Sequence, residues 1–175
     1  MLKRYIMTAF GHDRTGILAE VSKVLYQNGC NLEDSEMTRL ADEIALIFLF
    51  SSSREDIEEV LSREFHRLEV EKGLPTYFRR VKDKPDLEEI SGTKHNLHVE
   101  GIDQVGIIYR ISVFLSENDI NIIHLRSERN LSPLSGTAIY KIDLEIRRPE
   151  EFSYDQLKKG LRKVGDKLHV DIQID

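Results

Sequence analysis

The 175-residue chain is 40% hydrophobic and 32% charged, an ordinary globular balance whose length fits one large or two small domains. Its net charge is −6, and neither half carries the positive field that a phosphate backbone requires, which argues against direct nucleic-acid binding. The lone cysteine, Cys30, excludes an intrachain disulfide framework and a zinc site built on several thiolates.

Residues 3–10 alternate as a short strand with Tyr5, Met7 and Ala9 on one face. Gly11 is expected to turn the chain out of that strand, and Ile17, Leu18, Val21, Val24 and Leu25 form the apolar stripe of a helix that stops at Asn28-Gly29. Residues 31–40 read as a strand, Asp42-Glu43 as a turn, and Ile44 to Phe50 as a strand apolar on both faces, which calls for cover on both sides. Ser53-Arg-Glu-Asp56 resembles a capping box, opening a helix that buries Ile57, Leu61, Phe65 and Leu68; a short strand over 76–81 follows. A charged stretch punctuated by Pro85 and Gly92 reads as a linker over 83–93, separating domains 1–82 and 94–175.

The second domain repeats the first at an offset of ninety positions. Gly11-His-Asp-Arg-Thr-Gly-Ile-Leu18 recurs as Gly101-Ile-Asp-Gln-Val-Gly-Ile-Ile108, Asn28 as Asn118, and Asn31-Leu32 as Asn121-Ile122. Strands are expected over 121–130 and 137–146, the latter with a polar face of Lys141, Asp143 and Glu145. Pro149-Glu150-Glu151 reads as the first turn of a helix that buries Leu157, Leu161, Val164 and Leu168, and a strand over 169–174 closes the unit. One unit copied in tandem is the simplest account. Each copy reads β-α-β-β-α-β: an α+β, ferredoxin-like arrangement with a four-stranded antiparallel sheet and both helices on one face.

The repeated turn has chemistry to offer. A helix N-terminus presents unpaired amides and the positive end of a dipole, and Gly16 and Gly106 keep that end open to a small carboxylate. Asp13 and Asp103 are placed to meet an ammonium group. Asn31 and Asn121 offer a donor and an acceptor, expected near the same end of the sheet. Together these describe a site for a free α-amino acid. Each element also has a plainer reading: the aspartates as helix caps, the glycines as room for close packing, the asparagines as partners for backbone at a strand start.

The D-x-x-G-[IL]-[IL] turn, the helix after it and the Asn-aliphatic pair resemble the ACT domain, an amino-acid-sensing module of metabolic regulation. The run Gly29-Cys-Asn-Leu-Glu-Asp-Ser-Glu-Met-Thr-Arg-Leu40 resembles tandem-ACT transcriptional regulators of the glycine cleavage type. That resemblance implies a ligand held between paired domains by Asp13, Arg14, Thr15, Gly16, Ile17 and Asn31, and by Asp103, Gln104, Val105, Gly106, Ile107 and Asn121. It implies no cofactor, no catalysis, and a homodimer that binds a small amino acid. It further implies action through a regulatory protein partner, either a DNA-binding activator or a metabolic enzyme. Thr15 and Val105 stand where the family usually has proline, and Gln104 and Asp119 replace Arg14 and Gly29, so the two turns are not expected to be equal.

RNA binding lacks the basic-Gly-aromatic pattern around Phe48 and Phe50. A His12-Asp13 dyad is not repeated, since Ile102 replaces the histidine. His95 and His98, three apart on a strand, point to opposite faces and make a poor metal pair. Cys30 aligns with Ile120 and reads as a small apolar filler. With no signal-peptide core at the N-terminus and no apolar run long enough for a bilayer, no membrane contact and a cytoplasmic location are expected.

Overall fold

Tyr5, Met7, Ala9 and Gly11 are buried at alternate positions of β1 (Lys3–His12), and Ile44, Leu46, Phe48 and Phe50 do the same along β3 (Glu43–Ser52). Period-two burial of this kind puts one face of a sheet against helices. Those helices are α1 (Ile17–Gln27) and α2 (Ile57–Lys72), which bury Val21, Leu25, Leu61 and Phe65 over the same core. With β2 (Asn31–Leu40) and β4 (Thr76–Val81) at the edges, the strands form an antiparallel sheet in the order β2-β3-β1-β4.

The computed structural model describes residues 2–81, 91–133 and 135–175, so residues 83–90 of the expected linker lie outside the described residues. Thr93, assigned to that linker from sequence, already belongs to β5 (Thr93–Ile102). The second unit continues with α3 (Ile107–Glu117), β6 (Asn121–Leu131), β7 (Ala138–Arg148), α4 (Tyr154–Leu168) and β8 (Val170–Ile174), in the order β6-β7-β5-β8. The βαββαβ fold expected twice is present twice, and the chain divides into two compact units, Met1–Asp86 and Leu87–Asp175.

Local signals were misplaced in four ways. Gly11 and Gly101 lie inside β1 and β5 and do not turn the chain. They leave room: a Cβ on Gly11 would meet Leu74 Cδ1 at 3.2 Å, and one on Gly101 would meet Val170 Cγ1 at 2.5 Å. The expected capping box before α2 does not form, because Asp56 is the N-cap, makes no side-chain cap, and is held by Arg54 instead. The true capping box opens α4: Ser153 accepts from the Gln156 amide and Gln156 from the Ser153 amide, so the helix begins after Pro149-Glu150-Glu151. Finally, in the second copy the left-handed residue after the first helix is Asp119, φ 56°, and not Asn118. Asn28 and Asn118 act through their side chains, donating to the carbonyls of Val24 and Phe114.

Leu18, placed in the buried stripe from sequence, is exposed, whereas Cys30 packs half-buried against the core as expected of a filler. Burial pushes its thiol pKa up.

Candidate functional site

Each strand-to-helix turn is built the same way. Gly16 and Gly106 are the N-caps of α1 and α3, both at φ 96°, a left-handed backbone that only glycine adopts without strain. Among the described residues nothing lies within 4 Å of a Cβ built on either, so conformation and open space account for these glycines, not close packing. Among the described residues no side chain caps either helix, although the Ile17 amide bonds back to the carbonyl of Arg14 at 3.4 Å. Thr15 and Val105 are exposed beside them, while Ile17 and Ile107 are buried and anchor the helix to the sheet.

Asp13 and Asp103 therefore do not cap. Their carboxylates reach across to the edge strand: Asp13 Oδ2 lies 3.0 Å from Arg39 Nε on β2, and Asp103 Oδ2 lies 2.7 Å from Arg129 Nε on β6. Each of these acids, expected to meet an ammonium group, has a guanidinium as its partner in this structure. Backbone bonds from the Asp13 amide to Asp42 O and from the Asp103 amide to Ala138 O complete the clasp. Arg39 and Arg129 were missed from sequence, although they too stand ninety positions apart and lie within the asparagine-led strands.

Arg14 and Gln104 part company. Arg14 makes a two-pronged pair with Glu20 in the first turn of α1, which holds the Glu20 carboxyl below its ordinary range. Gln104 donates to the carbonyl of Leu168 at the end of α4 and is tied down within its own unit.

The asparagines stand elsewhere. Asn31 pairs with Ser51, and Arg4 pairs with Ser51 from the other side, whereas the turn leaves β1 after His12, opposite Glu43 and Leu40. At about 3.3 Å per residue, the ten residues of β2 put Asn31 roughly 30 Å from its own turn. Asn121, which pairs with Arg147, is as far from Asp103. The expectation that turn and asparagine share one end of a sheet is thus overturned by the direction of the intervening helix, which carries the chain back along the sheet before the next strand begins. Asn121 instead borders a shallow hollow with Ser112, Ser116 and Asp119.

Phe48 and Phe50 lie in the core, facing the helices. His95 and His98 take opposite faces as expected, His95 stacking on Tyr154 and His98 bonding Asp143 at 2.6 Å. Among the described residues no group of three or more His, Cys, Asp or Glu side chains is placed to hold a metal ion, and no helix is long and apolar enough to cross a membrane.

A family model described as the ACT domain matches residues 3–78. A UPF0237 protein of Methanopyrus kandleri is 36% identical over 63 residues, which are 36% of this chain and 70% of that protein. The chain belongs to the ACT-domain family. The glycine cleavage system transcriptional repressor of Escherichia coli is 40% identical over 48 residues, 27% of this chain and 25% of the repressor. A crystal structure of an unknown protein from Galdieria sulphuraria shares the fold of both ACT units, with a TM-score of 0.84 over 100% of this chain and 98% of its own, at 24% identity.

Proposed function

We propose that this protein is a non-enzymatic amino-acid sensor that regulates a partner protein, with glycine metabolism as its field of action. The observation that carries this reading is the helix start of α1 and α3: glycine-opened, uncapped, and braced by an aspartate–arginine clasp in both ACT units. Such an end favours a carboxylate through its amides and dipole. The name borne by the Escherichia coli relative supports a role in transcription, exerted through a DNA-binding partner because the chain itself is acidic.

The distance between turn and asparagine defines how a ligand is held. A free amino acid spans only a few ångströms, so Asn31 and the turn of its own unit cannot grip one molecule. Within one unit the carboxylate goes to the amides of the turn. At a ceiling of about −1.5 kcal/mol per heavy atom, the smallest amino acids reach micromolar affinity at best. A signal requires that the ligand favour one conformation of the protein over another.

Thermal-shift titration of the full chain against the twenty amino acids tests the reading. A rise with one small amino acid, lost in Gly16→Val, is expected. A rise with nucleotides alone, or with no amino acid, overturns it. A pull-down then identifies the partner: a DNA-binding regulator supports action on transcription, and a biosynthetic enzyme replaces that part of the reading.

A further inference from the structure

The face of the first sheet that the helices leave open carries a pattern its fold does not require. Cross-strand partners share a face, so open-face rows can be read across the strands. One row runs Asp34–Leu49–Ile6–Arg79, from the β2 edge to the β4 edge. The next runs Glu36–Ile47–Thr8–Tyr77, and a third pairs Thr38, Ala45 and Phe10. Phe10 is 61% exposed, Tyr77 66% and Ile47 42%, and a shallow hollow of about 380 Å³ lies among Ile6, Asp34, Glu36, Ile47 and Leu49.

The second unit shows what the same fold does without that pattern. Its matching rows read His124–Glu145–Asn96–Asp175, Arg126–Asp143–His98–Gln173 and Glu128–Lys141–Glu100–Asp171. Where the first unit has Phe10, Ile47 and Leu49, the second has Glu100, Asp143 and Glu145. A charged open face is thus compatible with this sheet, and the apolar one calls for a partner.

We infer that the open face of the first sheet is a self-complementary dimer interface, covered by the same face of a second copy of this chain. The first row carries an acid at one end, a base at the other and two aliphatics between. A twofold axis running along the strand direction lays that row on its own reverse. Asp34 then meets Arg79 of the partner copy, Leu49 meets Ile6, and Phe10 lies over the small Ala45. A twofold axis across the strands would instead stack β2 on β2 and set Asp34 and Glu36 against like charge. Four strands about 4.8 Å apart, the longest of ten residues, present roughly 600 Å² per copy; two copies give roughly 1,200 Å², the lower edge of stable interfaces. The helices stay outward, and the clasped turns at the strand ends remain free.

Sedimentation equilibrium on the full-length chain tests this. The wild type is expected to be dimeric. Ile47→Asp and Phe10→Glu, which install the second unit's own residues, are expected to weaken the dimer at least about tenfold with unchanged circular dichroism. Asp34→Lys and Arg79→Asp alone are each expected to weaken it about tenfold, and the double swap to restore it to within about threefold of wild type. A wild type that stays monomeric at every concentration overturns the inference, as does a dimer indifferent to Ile47→Asp. A double swap no tighter than the single reversals also overturns it, and this readout stands even if Ile47→Asp fails to fold.

Discussion

The first ACT unit opens an apolar sheet face with Phe10 and Ile47, while the second opens a charged one in which Lys141 pairs with Glu100 and His98 with Asp143. On the helix side the two agree: Met7 and Leu97, Ala9 and Val99, Val21 and Ile111 are all buried at matching positions. The turns also agree down to the φ of the N-cap glycine and the aspartate–arginine clasp. Duplication thus separates what the fold needs, a packed helix-side core and a left-handed turn, from what a surface is free to become. The open faces diverged because a four-stranded sheet with helices on one side is stable whether its other side is wet or covered.

The sharpest way to break the equivalence of the two units is through Gly11 and Gly101. A Cβ on Gly101 would meet Val170 Cγ1 at 2.5 Å and its Cα at 3.1 Å, whereas one on Gly11 would meet only milder contacts, Leu74 Cδ1 at 3.2 Å and the Gly73 carbonyl oxygen at 3.3 Å. Gly101→Ala is expected to cost about 3 kcal/mol and Gly11→Ala about 1 kcal/mol, read from denaturant midpoints. Hydrogen exchange should show the loss of protection confined to the second unit for the former.

A pH effect distinguishes the units next. Tyr5 is buried, stacks on Phe50 and donates to Glu58; burial first, then that carboxylate, push its pKa up to about 12. His95 holds the matching place in the second unit. A raised pKa means that the fold favours the protonated phenol. Its stabilisation is complete below about pH 10 and is lost as pH rises from there through about 12. Roughly 3 kcal/mol should disappear over that window, and Tyr5→Phe should flatten the dependence of the urea midpoint on pH.

Gly16→Ala and Gly106→Ala should sharpen the likeness. At φ 96° with open space around it, each alanine is expected to cost about 1–2 kcal/mol from backbone strain alone, by the same amount in both units. The smallest effect belongs to the clasp. Asp13→Asn or Asp103→Asn should lose under about 1 kcal/mol, fading at high salt, because Arg39 and Arg129 are more than half exposed. A loss several times larger in either unit would mean that the turn depends on its ion pair.

Much of this was legible in the sequence because period-two and period-3.6 patterns report burial directly. Tyr5, Met7 and Ala9 gave the inward face of β1, and the stretch 76–81 was read with its observed ends. Misreadings came where one residue type serves two purposes. A glycine can turn a chain or let another segment approach, and only the neighbours of Gly11, Leu74 and Gly73, decide between them. Ser53 and Ser153 both stand before acidic and apolar residues, yet only Ser153 has a glutamine three positions on to close the box. The clasp escaped notice because Arg39 looked like one exposed charge among many until its partner came within 3.0 Å.

From the chain alone came the duplication, the order of elements in each unit, the inward faces of the strands and the identity of the paired turns. These depend on local periodicity and on repetition, both of which are written along one dimension. Tertiary structure alone decided which charges meet and which residues share an end of the sheet. Asp13 finds Arg39 across 26 positions, and Asn31 is carried roughly 30 Å from the turn it seemed to serve. The reason is direction: a helix returning along a sheet reverses which end the next residues occupy, and only the folded path records that reversal.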